Sequence, residues 1–130
     1  MLDRILKTKR NILKNKNFRK KTNKNFVVLI PARKGSKRIN NKNFISINKK
    51  PLIYYTYKET IKIFDKKNIF ISSNDEKAKK FSIKYGLRFI ERPQHLCKDN
   101  SSTEEAILHF IKKMSLEKSF LKKNIILLQI

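Results

Sequence analysis

The sequence predicts an α/β fold built on a parallel sheet, and three observations carry that reading. Phe26-Val27-Val28-Leu29-Ile30 is a continuous apolar run of strand length, as expected of a strand covered on both faces. Strand-like and helix-like segments then alternate four times along the chain. The length, 130 residues, suits one domain whose core needs no disulfide or metal staple.

Each element has its own signal. The first strand ends at Pro31, in a loop that contains Gly35. Pro51 fits the first turn of a helix running to about Phe64, with Ile53, Tyr57, Ile61 and Phe64 on one face. Asn68 to Ser72 reads as a second strand. Asp75 to Tyr85 reads as a helix with Ala78, Phe81 and Tyr85 inward, stopped by Gly86. Leu87 to Ile90 is a short third strand. Ser101 with Glu104, and Ser102 with Glu105, both match a capping box. The helix after them turns Ala106, Ile107, Phe110, Ile111 and Met114 to one side, and Asn124 to Gln129 makes the fourth strand. Ligands of such sheets bind beyond the carboxyl ends of the strands, so the loop after the first strand is the first place to look for function.

Residues 1–25 stand apart, with ten Lys or Arg against the one acidic residue Asp3. They read as a basic, solvated extension, leaving 26–130 as the folded domain. Two roles are open for it: an arm for RNA or anionic lipid, or a dispensable leader. The formal net charge of +23 raises a nucleic-acid-binding module as a rival function. Against it, Phe18 is the sole aromatic in the extension, and a chain rich in Lys, Asn and Ile places lysine at ordinary surface positions. The lone Cys97 excludes an internal disulfide. With no secretory h-region and no apolar run of membrane-spanning length, the expected location is the cytoplasm, without a membrane partner.

The loop after the first strand packs five cations into Arg33 to Lys42, around Gly35 and Ser36. Strand-end loops turn backbone N–H groups toward anions, and glycine lets the backbone come close. Arg33 can grip phosphate oxygens in a fork, while Lys37 and Lys42 act as point charges. The loop is neither a P-loop nor a G-x-G-x-x-G turn, because the chain has only Gly35 and Gly86; this argues against NAD. On composition alone, solvated surface is the competing reading. His95 and His109 lack a second partner at metal-ligand spacing and read as structural, and Cys97 has no activating neighbour.

The order of residues adds more. Ile30 to Asn43 resembles the signature I-P-A-R-x-G-S-K-x-x-x-x-K-N of the acylneuraminate cytidylyltransferase family, and Lys50 to Ile53 its K-P-L-I. Ile71-Ser72-Ser73-Asn74 looks like its V-S-T-D, and Tyr85-Gly86 like its Y-G. Arg92-Pro93, Leu96 and Asp99 look like R-P-x-x-L-x-x-D, Ser101-Ser102-Thr103 like the hydroxyl cluster after it, and Leu127-Leu128-Gln129 like the start of L-Q-P-T-S-P. The related enzyme for the eight-carbon sugar Kdo shares the fold but usually lacks the paired Lys-Asn, so Lys42-Asn43 argues for the nine-carbon branch.

The resemblance implies a Rossmann-like nucleotide-diphospho-sugar transferase fold that stops after its fourth strand. It implies an enzyme, a nucleotidyltransferase that joins CMP from CTP to the anomeric hydroxyl of an acylneuraminate-type sugar acid, assisted by Mg²⁺, in carbohydrate and cell-surface polysaccharide biosynthesis. By residue, it implies phosphate contacts from Arg33 and Lys42 as the catalytic pair, and a nucleotide cradle of Ala32, Arg33, Gly35, Ser36, Lys37, Lys42 and Asn43. Asn43, Arg92, Ser101, Thr103 and Gln129 would line the cytidine or sugar side. Metal-binding acidic residues, much of the sugar pocket and the contacts of a homodimer would lie beyond residue 130, so these residues alone are expected to be inactive or nearly so. Arg92 could instead fix a turn or pair with Glu91, Ser101 and Ser102 could simply cap a helix, and Asp99 could order its loop or ligate a metal. Asn40 and Asn74 depart from the family's usual Pro and Asp. A non-catalytic remnant of the same pathway is the third reading.

Overall fold

The structure is a computed structural model that describes residues 25–35, 38–39, 41–116 and 123–130. Residues 1–24 of the basic extension, Ser36, Lys37 and Asn40 lie outside the described residues. The chain order is β1 (Phe26–Pro31), a hairpin of β2 (Ser46–Ile47) and β3 (Lys50–Pro51), α1 (Leu52–Thr60), β4 (Ile69–Ser73), α2 (Glu76–Tyr85), β5 (Arg88–Glu91), α3 (Thr103–Met114) and β6 (Asn124–Leu127). The four longer strands form one sheet in the order β5-β4-β1-β6, with every pairing parallel.

The apolar run of β1 divides between two cores. Val28 and Ile30 face α1 and α2, together with Ile53, Tyr57, Ile69, Ile71, Ala78 and Phe81. Val27 and Leu29 face α3, together with Phe70, Phe110 and Met114. The two-residue period of a strand sends neighbours to opposite faces, so a strand with helices on both sides has no polar face. The chain steps outward from β1 through β4 to β5, then returns across the sheet to β6 on the other side of β1. A topological switch point therefore lies between β1 and β6, where such sheets open a crevice at their carboxyl ends.

Several boundaries differ from the sequence reading. The first helix ends at Thr60, short of Phe64. Thr60 Oγ1 donates to the Thr56 carbonyl at 2.6 Å, and the Thr60 carbonyl accepts from both Ile63 and Phe64. That tightened turn still buries Phe64. Pro51 is the cap residue rather than a first-turn residue, and it also closes the hairpin. Only Ser102 makes the capping box with Glu105; the Ser101 hydroxyl accepts from the Lys98 N–H at 2.9 Å instead. Leu87 precedes β5 because its N–H closes the end of α2 on the Ser82 carbonyl, while Gly86 takes a φ of +70° at the cap. α3 buries a narrow stripe of Ala106, Phe110 and Met114; Ile111 lines the same groove beside Val27 and Ile125 but is exposed. Strand pairing stops at Leu127, with one further bond from Leu128 N–H to the Leu29 carbonyl, which frees Gln129 for the crevice. No helix among the described residues is long and apolar enough to cross a membrane.

Candidate functional site

The loop after β1 is fixed residue by residue. The Ala32 N–H donates to the Ser72 carbonyl at 2.9 Å, and the Ala32 carbonyl accepts from the Ser73 hydroxyl. The Arg33 carbonyl accepts from Asn43 Nδ2 at 3.3 Å, and the Lys34 N–H donates to Asn74 Oδ1 at 2.7 Å. Ala32 is thus a buried anchor beneath the loop. Gly35 follows at a φ of +85°, a conformation suited to glycine. A Cβ there would meet no atom within 4 Å, so the backbone conformation, not crowding, asks for glycine.

These anchors shape a cleft of about 210 Å³ at the switch point. Eight of the residues expected from the sequence line it: Arg33, Gly35, Lys42, Asn43, Arg92, Ser101, Thr103 and Gln129. They come from the β1 loop, the turn before the hairpin, the end of β5, the start of α3 and the segment after β6. Pro31, Ser102 and Ile130 complete the wall. Gln129 Nε2 donates to Thr103 Oγ1 at 3.0 Å, joining the β6 side to the first turn of α3. Lys42 Nζ donates to the Ile130 carbonyl at 2.6 Å.

Arg92 is the most unusual of these side chains. It is only 4% exposed, yet among the described residues no carboxylate meets it. Its Nη2 donates to the Ser72 carbonyl at 3.2 Å, and its Nε is buried without a partner. The guanidinium turns inward to β4, not to Glu91. Burial pulls its pKa down from the ordinary arginine range; Cys97 opposes that, and Arg33 adds to it. Arg33 pairs with a carboxylate, Asp99 Oδ1 at 3.1 Å, with side chains 27% and 54% exposed. Asp99 is therefore a counter-ion, a role neither sequence reading of it gave. Burial pushes the Cys97 thiol up, so it is held as an unreactive thiol.

A profile of the cytidylyltransferase family matches residues 27–126. The chain belongs to the cytidylyltransferase family. It is 31% identical over 87 residues to the N-acylneuraminate cytidylyltransferase of Streptococcus agalactiae serotype V, covering 65% of this chain and 21% of that protein. It is 40% identical over 87 residues to the pseudaminic acid cytidylyltransferase of Campylobacter jejuni serotype O:23/36, covering 64% of this chain and 36% of that one. In three dimensions it resembles a CMP:2-keto-3-deoxy-manno-octonic acid synthetase solved with CTP, with a TM-score of 0.62 and 21% identity, over 81% of this chain and 39% of the other. That likeness shows the shared fold. The chain thus spans between a fifth and two fifths of these relatives.

For a cytidylyltransferase the cleft has a telling balance. Arg33, Lys42 and Arg92 converge on it, and among the described residues no group of three His, Cys, Asp or Glu side chains could hold a metal. The described walls fit an anion.

Proposed function

We propose that this chain forms the CTP-binding part of an enzyme that transfers CMP to the anomeric hydroxyl of a nonulosonic sugar acid and releases pyrophosphate. One observation carries the reading: Arg92, a buried guanidinium that meets no carboxylate among the described residues, lines the cleft shared by Arg33 and Lys42 at the switch point of the sheet. Burying such a charge is unfavourable unless an acceptor arrives to share it. Membership of the family supplies the nucleotide, and the relatives' names supply the class of sugar acid, which spans acylneuraminic and pseudaminic acids.

In this proposal the sugar oxygen bonds to the α-phosphorus as the bond to the pyrophosphate oxygen breaks, and the hydroxyl proton leaves to solvent. Such a transfer depends on placement and charge neutralisation more than on covalent help. Arg33 and Lys42 hold phosphate oxygens, and Asn43 steadies both the nucleotide and the Arg33 backbone. Arg92, Ser101, Thr103 and Gln129 form the cytidine or sugar side, where Thr103 and Gln129 already meet. Gly35, Ser36 and Lys37 complete the phosphate cradle. Mg²⁺ bound with CTP would add to the charge neutralisation that Arg33 and Lys42 provide. A homodimer of the whole enzyme and a cytoplasmic location belong to the same proposal.

Calorimetric titration tests it. CTP should bind in preference to ATP, GTP and UTP, and Arg33→Ala and Lys42→Ala should each weaken it by about tenfold, the loss of one charge-assisted contact. Equal binding of all four triphosphates, or no response to either substitution, overturns it.

A further inference from the structure

We infer that Asn74 is the positioning residue of this site: its amide ties the loop of Arg33 to the loop of Arg92 and sets the distance across the cleft. The inference rests on reading the cleft as a phosphate site. Asn74 follows the last residue of β4, the strand whose end holds both arginine loops. The Ser72 carbonyl accepts from Ala32 N–H and from Arg92 Nη2, and the Ser73 carbonyl accepts from Arg92 N–H at 2.8 Å. The Ser73 hydroxyl donates to the Ala32 carbonyl and accepts from Asp75 N–H at 2.9 Å. These bonds secure Ala32 and Arg92, but they stop short of Lys34 and of the turn at Gln94.

Asn74 covers both remaining points. Its Oδ1 accepts from Lys34 N–H at 2.7 Å, and its Nδ2 donates to Gln94 Oε1 at 2.7 Å. The Lys34 N–H can only donate, so it fixes which end of the amide is oxygen, and the nitrogen must then face Gln94. One neutral side chain accepts on one loop and donates on the other. Lys34 adjoins Arg33, and Gln94 lies two residues after Arg92, so slack at Asn74 changes the separation of the two guanidiniums. Ligand contacts of this kind lose strength with displacements of an ångström or less. Aspartate at this position would keep the bond to Lys34 and would require Gln94 to turn its Nε2 inward.

The test uses the full chain with pyrophosphate and CTP as probes, and compares Asn74→Ala with Asn74→Asp. Amide hydrogen exchange reports the tie without any ligand: Lys34 should exchange faster in Asn74→Ala and at the wild-type rate or slower in Asn74→Asp. Pyrophosphate affinity should fall by about tenfold in Asn74→Ala and stay within about threefold of wild type in Asn74→Asp. Thermal unfolding should shift by only a few degrees in either, because the bonds lost are exposed to solvent. Unchanged Lys34 exchange in Asn74→Ala, wild-type affinity in that variant, or an Asn74→Asp variant that fails like it overturns the inference. Wild-type protein that binds no pyrophosphate overturns both the inference and the proposed function. Binding that follows the variants as expected, but with no preference for CTP, overturns the proposed function alone.

Discussion

Replacing Arg92 by methionine should spare or stabilise the fold and weaken the site. Arg92→Met keeps a long unbranched chain in a position that is 4% exposed and removes the charge. The bond lost is Nη2 to the Ser72 carbonyl, worth about 1.5–3 kcal/mol for a charged donor. That carbonyl keeps the Ala32 N–H at 2.9 Å, so no acceptor is orphaned. On the other side of the balance, a guanidinium held out of water without a carboxylate costs on the order of several kcal/mol, and its Nε bonds to nothing. Proximity to Arg33 adds repulsion. The net expectation is a fold unchanged or stabilised by about 1–2 kcal/mol, read by urea denaturation with an unaltered m-value. CTP binding should weaken about 10- to 150-fold, the loss of one charged hydrogen bond. A variant destabilised by more than about 1 kcal/mol, or one that binds CTP like the wild type, refutes the reasoning.

Three further outcomes follow from the same geometry. Asp99→Asn should raise pyrophosphate affinity severalfold in calorimetry, because the carboxylate competes for Arg33, while stability moves by less than about 1 kcal/mol for so exposed a pair. Phe110→Ala should cost about 3–5 kcal/mol in chemical denaturation, since its ring packs edge-on at 5.0 Å against Phe70 in the α3-side core. Burial, with Lys113 next in effect, holds the His109 imidazole below its ordinary pKa of 6.5, so the unfolded chain takes up the proton first; stability should be lost as pH falls below that value, and His109→Gln should flatten the loss in melts across that range.

Much of the fold was legible because the strongest signals are local. The β1 run, the helix stop at Gly86 and the Ser102–Glu105 box each depend on neighbouring residues, and each is present. The hairpin of β2 and β3 was missed. Its turn places Asn48 at a φ of 48° and Lys49 at 65°, and without a glycine it lacks the usual signature of two positive φ values in succession. Ile111 lies on the expected side of α3 yet stays exposed, which period alone cannot tell. Around the cleft, the residues quoted from the family motifs converge, since they lie at the ends of strands that the topology brings together. Three relations were beyond the sequence. Asp99 and Arg33 are 66 positions apart, the Arg92 guanidinium reaches the Ser72 carbonyl on another strand, and Asn74 bridges loops that only the folded sheet sets side by side.

The placement of β1 also governs how the chain must be made. It is the first strand of the sheet to be synthesised, yet it lies in the interior of the sheet, flanked by strands that emerge later. Its partner Ile69 comes about 40 residues after Val28, and Asn124 is paired with Phe26 across almost the whole domain. Pairings so distant along the chain close slowly. At roughly 5–20 residues per second on the ribosome, the apolar stretch from Phe26 to Ile30 waits several seconds for its first neighbour and longer for its second. The lysines and arginines that flank it in the sequence have the charge pattern of gatekeepers, which keep such a stretch apart from other nascent chains.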